Sequence, residues 1–300
     1  MNDDIIFFLE NLKVDLDNDQ KSKKIAYSKI ISIIKDLDYQ IKINTKLSDI
    51  KGIGKKTEDK IKEFLRNELN KPIDLKKEFQ KQLIKITGIG PKKAKDISTK
   101  VSSFEELYNN QNHLNNKQKL GLKYFKTDNL RISRKEMTEH DNFISTIIKG
   151  INPNIKFQIV GSYRRQQKDS GDIDLILTYK SNILQNIISN FVKKEYIIDI
   201  YANGNKKFMG WCKLPNSNIS RRLDILYTCL NEYPFSLLYF TGSKNYNKFM
   251  RSIAIKKKMT LNEHGLFFQK DKININHNFT SEQDIFDYLE IEYKSPFNRI

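Results

Sequence analysis

Apolar residues recur every three or four positions through the first half of the chain, and in alternation or short runs through the second. Ile5, Phe8, Leu9 and Leu12 form one helical stripe, and Ile25, Ile30, Ile33 and Ile34 form another, so residues 5–35 are predicted as two helices. Phe104, Leu107, Leu114, Leu120, Leu122 and Tyr124 continue the helical pattern as short segments, and residues 134–149 form a longer amphipathic helix. Pro153 punctuates the change of period. Beyond it, residues 156–160, 173–177, 208–212 and 223–227 read as strands, with a helix predicted between 182 and 196. Helices first and strands later predict an α+β fold.

Two glycine-containing breaks interrupt the helical half in the same way. Lys51-Gly52-Ile53-Gly54 precedes a helical run with Ile61, Phe64 and Leu65 on one face, and Thr87-Gly88-Ile89-Gly90-Pro91 precedes another with Ala94. Glycines let such a turn aim successive N–H groups at one phosphate, and the following helix adds its positive end. Each copy reads as a helix-hairpin-helix that grips a nucleic-acid backbone without reading sequence. The copies lie 36 residues apart (Gly52 to Gly88), but no third follows, so a solenoid is not predicted.

In the strand half, the predicted strand 156–160 runs into Gly161-Ser162, where backbone can approach a phosphate closely. Asp172 and Asp174 follow at i and i+2, which on a strand places both carboxylates on one face. Side by side they repel and raise one another's pKa unless a divalent cation intervenes, and hard oxygen donors suit Mg²⁺. Asp224 interrupts the apolar run Leu223–Tyr227, where an isolated carboxylate is costly. It reads either as a third metal ligand or as a partner of Arg221 or Arg222. Tyr239, Phe240 and Gly242 then precede a basic helix carrying Asn247, Arg251, Lys256, Lys257 and Lys258, the combination that base stacking and backbone contact use.

Composition narrows the partners. The chain of 300 residues has 53 Lys and Arg against 36 Asp and Glu, a formal charge of +17, which implies a polyanionic partner. The first twenty residues run the other way, with Asp3, Asp4, Glu10, Asp15, Asp17 and Asp19 against Lys13, and read as a solvated acidic helix packed on its neighbour. No run of 18 apolar residues and no signal-peptide pattern are present, so a soluble intracellular protein that avoids membranes is expected. Cys212 and Cys229 read as reduced, packed thiols.

With these motifs assembled, the chain resembles the family X DNA polymerases, most closely their beta-type members, from about Lys23 to the carboxyl end. The resemblance rests on the two hairpins, Gly121-Leu122-Lys123-Tyr124-Phe125, Gly161-Ser162-Tyr163-Arg164-Arg165, Ser170-Gly171-Asp172-Ile173-Asp174, Lys207-Phe208-Met209-Gly210, Arg221-Arg222-Leu223-Asp224, Leu238-Tyr239-Phe240-Thr241-Gly242-Ser243, Met250-Arg251, Asn262-Glu263 and Asp284–Tyr288. It implies a helical lyase domain over 1–75, a helical duplex-binding part over 76–133, a catalytic palm with a mixed sheet over 134–230, and a nucleotide-selecting part over 231–300. It also implies that Asp172, Asp174 and Asp224 hold two Mg²⁺ ions, replaceable by Mn²⁺, with a monovalent cation at the hairpin turns. Ser162, Arg165 and the Gly171 amide would clamp a dNTP triphosphate. Tyr239, Phe240, Gly242 and Asn247 would surround its sugar and base, with the Gly242–Ser243 bond cis. Gly52, Gly54, Lys56, Gly88, Gly90, Lys23, Tyr27, Lys29, Lys207, Arg222, Arg251 and Glu263 would contact DNA. Lys60 falls on the position of a Schiff-base nucleophile that removes 5′-deoxyribose phosphate. An amine attacks an aldehyde only when neutral, and cationic neighbours such as Lys56 favour that form.

The expected function is therefore template-directed filling of short gaps in base excision repair, by a monomer acting on gapped or nicked duplex with repair proteins such as a ligase as candidate partners. Its compartment would be the nucleus for a cellular gene, or host cytoplasm or virion for a viral one. The alternatives are a template-independent nucleotidyltransferase and a non-catalytic DNA-end scaffold. Against the family pattern, Leu226 stands in place of an Arg, Lys244 in place of an acid, His264 in place of a Tyr, and Gln166 and Gln167 in place of small residues, while the stretch 214–221 is short. No editing exonuclease motif is present.

Overall fold

The computed structural model describes residues 2–14, 16, 20–68 and 75–299, with backbone alone at 67 and 68. Asp15, Asp17 and Asp19 of the acidic segment lie outside the described residues, as do 69–74, next to the expected boundary at 75. The chain divides into two units, 1–123 and 124–300, each described by itself.

In the first unit, helix α1 (Asp3–Val14) lies on α2 (Lys21–Lys35), and both bury apolar residues against α3 (Lys55–Glu68). Ile5, Leu9, Ile30, Ile31, Ile34 and Ile61 make this small core, with the Phe8 and Phe64 rings stacked 4.4 Å apart. The α1 stripe is wider than the sequence pattern indicated, because Phe7 is buried too, its ring under the Lys81 ammonium. Ile25 does not join the α2 stripe; it is 57% exposed. It precedes Ile30 by five residues, an offset of about 140° around a helix with 3.6 residues per turn, off the buried face. The acidic helix is packed as expected, and Asp4 pairs with Lys81 of α4 (Leu75–Ile84).

The two hairpins are near-copies. A short 3₁₀ turn (Leu47–Asp49) leads through Gly52-Ile53-Gly54 into α3, and α4 leads through Gly88-Ile89-Gly90 into α5 (Pro91–Ile97). In each, the central Ile is buried and its N–H donates to the Ile three residues back at 3.0 Å. In each, the first glycine has a left-handed φ, +103° at Gly52 and +88° at Gly88, which explains the residue type. Helices α6 (Phe104–Asn109) and α7 (Asn116–Asp128) follow, the unit boundary falling within α7. Gly121 of α7 lies so close to the second hairpin that an added Cβ would stand 2.0 Å from the Thr87 carbonyl oxygen.

The second unit is built on a five-stranded mixed sheet, order β2-β4-β7-β6-β5, comprising β2 (Lys156–Ile159), β4 (Ile173–Thr178), β7 (Arg221–Tyr227), β6 (Lys207–Cys212) and β5 (Ile197–Asn203). Only β4 and β7 pair in parallel. A two-residue ribbon, β1 (Ile132–Ser133) with β3 (Asp169–Ser170), flanks it. Helices α8 (Arg134–Ile151) and α10 (Leu184–Lys193) cover one face, burying Met137, Ile144, Ile148, Ile187 and Phe191 against Ile173, Leu175, Leu177, Leu223, Ile225 and Phe208. In that core His140 shares a 2.7 Å hydrogen bond with the Tyr196 hydroxyl. Cys212 is buried beside them, its thiol pushed up to about 12 by burial. Cys229 is also a free thiol.

After β7, helices α11 (Tyr233–Thr241), α12 (Lys244–Lys256) and α13 (Glu282–Tyr288) pack with the hairpin β8 (Met259–Asn262) and β9 (Gly265–Phe268) around Phe235, Leu238, Met250 and Phe286. No helix of the described residues is long and apolar enough to cross a membrane.

Candidate active site and nucleic-acid interface

Strand periodicity positions the acidic residues. Because Ile173, Leu175, Leu223 and Ile225 face α8 and α10, strand alternation turns Asp174 and Asp224 to the opposite side of the sheet. They are register partners on the parallel pair β4 and β7, so they stand side by side; Asp172 lies in the bend just before β4 rather than on the strand that the sequence pattern suggested, yet close enough that its charge acts on Asp174. The turn after β2 closes over them: the Val160 N–H donates to the Asp174 carbonyl at 2.8 Å, and a Cβ on Gly161 would stand 3.1 Å from Asp174 Oδ2.

The electrostatics follow from this crowding. Burial, then the charges of Asp172 and Asp224, push the Asp174 carboxyl up to about 7. Asp172 reaches solvent at the cleft mouth, yet the surrounding protein and then Asp224 raise it as well. Asp224 accepts from Arg222 Nε at 3.4 Å and pairs with Lys207 Nζ at 3.3 Å, so the Arg222 pairing weighed from sequence is present. Among the described residues no three His, Cys, Asp or Glu side chains already converge as a ligand cluster. The donor set nevertheless fits Mg²⁺: three mutually repelling hard-oxygen groups close together, two of them lining a cleft and held away from their ordinary acidity.

Around the carboxylates opens a cleft of about 540 Å³, lined by Gly161, Ser162, Arg165, Gly171, Asp172, Asp174, Tyr239, Phe240, Gly242, Ser243, Lys244, Asn247, Arg251 and Arg131. It brings together every nucleotide-contact residue expected from the sequence. Ser162, in the one-turn helix α9 (Gly161–Arg164), donates to the buried Ser170 at 2.8 Å. Arg165 Nη1 donates to the Thr241 carbonyl at 2.6 Å, and the Gly242–Ser243 peptide is cis. Asn247 donates to the Tyr239 carbonyl at 2.7 Å, and the Arg251 guanidinium lies over the Tyr239 ring, 5.9 Å from its centre. Glu263 sits elsewhere, in the β8–β9 turn, where its carbonyl accepts from Ser236 at 2.8 Å. Leu226 faces the carboxylate side and registers against Ile176.

Two features escaped the sequence reading. Arg131 lines the cleft beside Gly171, held by Asp169 at 2.6 Å; it stands at an element boundary with no pattern of its own. Arg164 donates to both oxygens of Glu282, at 3.1 and 2.7 Å, and to Thr241 at 2.6 Å, while the fully buried Arg299 donates to the same Glu282. That network joins residues separated by more than a hundred positions, which no local pattern reveals.

In the first unit, Lys60 Nζ donates to the Tyr27 hydroxyl at 3.0 Å, which places α3 against α2 at the expected lyase position. Lys23, Lys29 and Lys56 are exposed nearby in sequence on the same two helices. At both hairpins the second glycine, Gly54 or Gly90, has nothing within 4 Å of where a Cβ would project, so the turn backbone is open to a ligand.

Family profiles match most of the chain. The DNA polymerase beta palm matches residues 131–229 and the DNA polymerase beta thumb matches 236–300; a helix-hairpin-helix domain matches 1–70 and a SAM-like helix-hairpin-helix tandem matches 80–117. The chain belongs to the family X DNA polymerases. DNA polymerase lambda of Arabidopsis thaliana is 26% identical over 319 residues, spanning 97% of this chain and 60% of its own length. DNA polymerase lambda of Rattus norvegicus is 26% identical over 301 residues, 93% of this chain and 52% of its own. DNA nucleotidylexotransferase of Xenopus laevis is 25% identical over 332 residues, 94% of this chain and 64% of its own. This family X chain therefore spans between about half and two thirds of these relatives.

Proposed function

We propose that the protein is a template-directed DNA polymerase that fills short gaps in base excision repair, with a 5′-deoxyribose phosphate lyase in its amino-terminal part. The observation that carries the polymerase reading is the carboxylate set, Asp174 and Asp224 in register on β4 and β7 with Asp172 just before β4, beside the Gly161–Ser162 turn. Asp172 and Asp174 would hold two Mg²⁺ ions and Asp224 would complete the set on the primer side. When bound, the ions supply charge neutralisation for in-line displacement at the nucleotide's α-phosphorus.

The chain's own residues do the rest. Ser162, Arg165 and the Gly171 N–H bind the triphosphate, Ser162 exchanging its Ser170 partner for a phosphate oxygen. Arg131, beside Gly171, adds a further guanidinium there. Tyr239 and Phe240 press on the sugar, and Asn247 and Arg251, already laddered on Tyr239, meet the base and template. Lys207 and Arg222 release Asp224 and turn to the DNA backbone, while Glu263 approaches it from the β8–β9 turn. The two hairpins grip phosphates through their open glycine turns. The division into lyase (1–75), duplex-binding (76–133), palm (134–230) and nucleotide-selecting (231–300) parts belongs to this reading.

For the lyase, the Lys60 amine adds to the C1′ aldehyde and loses water to form an imine. A base then takes the C2′ proton and the C3′–O bond breaks, leaving a 5′-phosphate on the downstream strand. Tyr27 holds the amine, and Lys23, Lys29 and Lys56 bind the flanking phosphates.

A one-nucleotide gap carrying a 5′-deoxyribose phosphate, with Mg²⁺ and borohydride trapping, tests both activities. Wild type should extend and be trapped, Asp224→Ala should lose extension alone, and Lys60→Ala should lose trapping alone. DNA binding with neither activity overturns the reading in favour of a scaffold. Equal extension of a single-stranded primer would favour a template-independent transferase, the reading to which the likeness to DNA nucleotidylexotransferase points.

A further inference from the structure

Strand β5 is an outer strand of the sheet and carries two register breaks, the second between Ile200 and Ala202, where Tyr201 is the extra residue. A bulge of this kind re-aims one side chain, and here it brings the Tyr201 ring against Trp211 of the neighbouring strand. That strand is built to admit it. A Cβ on Gly210 of β6 would stand 2.3 Å from the Asp199 carbonyl oxygen, so a glycine is what lets the bulged backbone approach. The Tyr201 ring is then braced. It meets the Trp211 ring edge-on, with centroids 6.0 Å apart and planes at 81°. Trp211 is buried, stacks on Tyr124 at 4.4 Å and donates from Nε1 to Asp128 at 2.7 Å. The Tyr124 hydroxyl in turn donates to Asp199, two residues before Tyr201.

What rests on this brace is a cation beside the carboxylates. Arg222 is the register partner of Trp211 on β7 and stands two residues before Asp224, on the same face of the strand. Its guanidinium lies over the Tyr201 ring, 6.0 Å from the centre, at the reach of a cation–π contact. Its Nε also donates to Asp224 at 3.4 Å, longer than the about 2.7–2.9 Å of a well-formed arginine–carboxylate bond. A ring face and a carboxylate therefore share this guanidinium. The division matters because a full bidentate pair would occupy both Asp224 oxygens, the hard donors that a divalent cation needs. An aromatic face attracts the guanidinium without taking an oxygen from the site.

We propose that Tyr201 is a positioning residue of the polymerase site: its ring holds the Arg222 guanidinium off Asp224 and so keeps that carboxylate open to a divalent cation. Without the ring, Arg222 closes on Asp224 and competes with the metal. Tyr201 acts through Arg222 and touches no reacting atom. The proposal rests on the polymerase reading above.

Mn²⁺ serves as the probe. Its binding to the DNA-free full chain, followed by the electron paramagnetic resonance of the free ion, is measured for wild type, Tyr201→Phe, Tyr201→Leu and the strand-compatible Tyr201→Val, each also in an Arg222→Gln background. Tyr201→Leu and Tyr201→Val should weaken binding at least about threefold, equivalent to about 0.7 kcal/mol. Tyr201→Phe keeps the ring and should stay within about twofold of wild type. In the Arg222→Gln background the Tyr201 substitutions should have no further effect. In gap filling, the Mg²⁺ concentration for half-maximal extension should rise by a similar factor in Tyr201→Leu, with kcat recovered at saturating Mg²⁺. A merely structural role would lower Tm and weaken Mn²⁺ binding equally in both backgrounds, and that result overturns the proposal. If wild type fails to bind Mn²⁺ or to fill a gap, the polymerase reading itself fails. If wild type does both, while Tyr201→Leu and Tyr201→Val bind Mn²⁺ as wild type does, only the role of Tyr201 falls.

Discussion

At the scale of single residues, the site trades stability for a place to put charge. Asp174 is crowded by burial and by Asp172 and Asp224, and its carboxyl is pushed up to about 7. Because folding raises this carboxyl above its ordinary value of 3.8, the native state keeps the proton longer than the unfolded chain does. Asp174 therefore destabilises the metal-free protein increasingly from about pH 4 to 7, and fully above that range. Asp174→Asn should raise stability in EDTA at pH 8 by roughly 1–3 kcal/mol, with little gain at pH 4, while abolishing primer extension. Urea unfolding at the two pH values reads this directly; an equal gain at both would mean that charge is not the cause. The Asp174 and Asp224 positions were legible because each is a charged residue within an otherwise apolar strand run, and strand alternation fixed the face. Arg131 and the Glu282 network were not, since their meaning depends on contacts across the fold.

At the scale of elements, repeated local patterns were legible to within a few residues and packing offsets were not. The hairpins announced themselves twice, and their turns repeat the same Ile N–H bond. Ile25 looked like part of the α2 stripe only until helix geometry turned it outward. Gly121 carried no sign of its purpose, which is to let α7 approach the Thr87 carbonyl. Gly121→Ala should cost about 1–3 kcal/mol or more by overpacking, measured by denaturant unfolding of the full chain. Gly90→Ala meets open space and should leave stability within about 0.5 kcal/mol, yet weaken duplex binding if that turn receives a phosphate. In the sheet layer, His140 is buried at 1% exposure and burial holds it down at about 4. Glu136 at 3.8 Å favours its charged form and Arg221 opposes it, but burial prevails. A histidine depressed below its ordinary value of 6.5 contributes stability above that value and loses it as pH falls toward 4. Wild type should therefore lose roughly 2–3 kcal/mol over that window through this group, and His140→Gln should flatten the loss. A profile identical in the two proteins would assign the acid sensitivity to other residues.

At the scale of the whole molecule, the formal charge of +17 is organised rather than diffuse. Lys51, Lys55 and Lys56 flank the first hairpin turn, and Lys85, Lys92 and Lys93 flank the second. Such a distribution should bind duplex DNA chiefly by displacing counterions, with log K falling linearly as log salt rises. About six phosphate contacts would lower affinity on the order of a thousandfold between 50 and 200 mM salt. Lys29→Ala and Lys56→Ala should each weaken binding across unrelated sequences and reduce the salt slope by about one. Asp224→Asn should do the reverse in EDTA, tightening binding slightly, because it removes a carboxylate from a surface that must meet phosphates. Fluorescence anisotropy with two unrelated duplexes over a salt series distinguishes these cases. If the lysine variants shift affinity for one sequence and leave the slope intact, those side chains read bases rather than phosphates, and the hairpins would no longer be backbone grips. If all three variants leave the slope unchanged, the contacts that hold DNA lie on other basic residues, and the paired glycine turns serve packing alone.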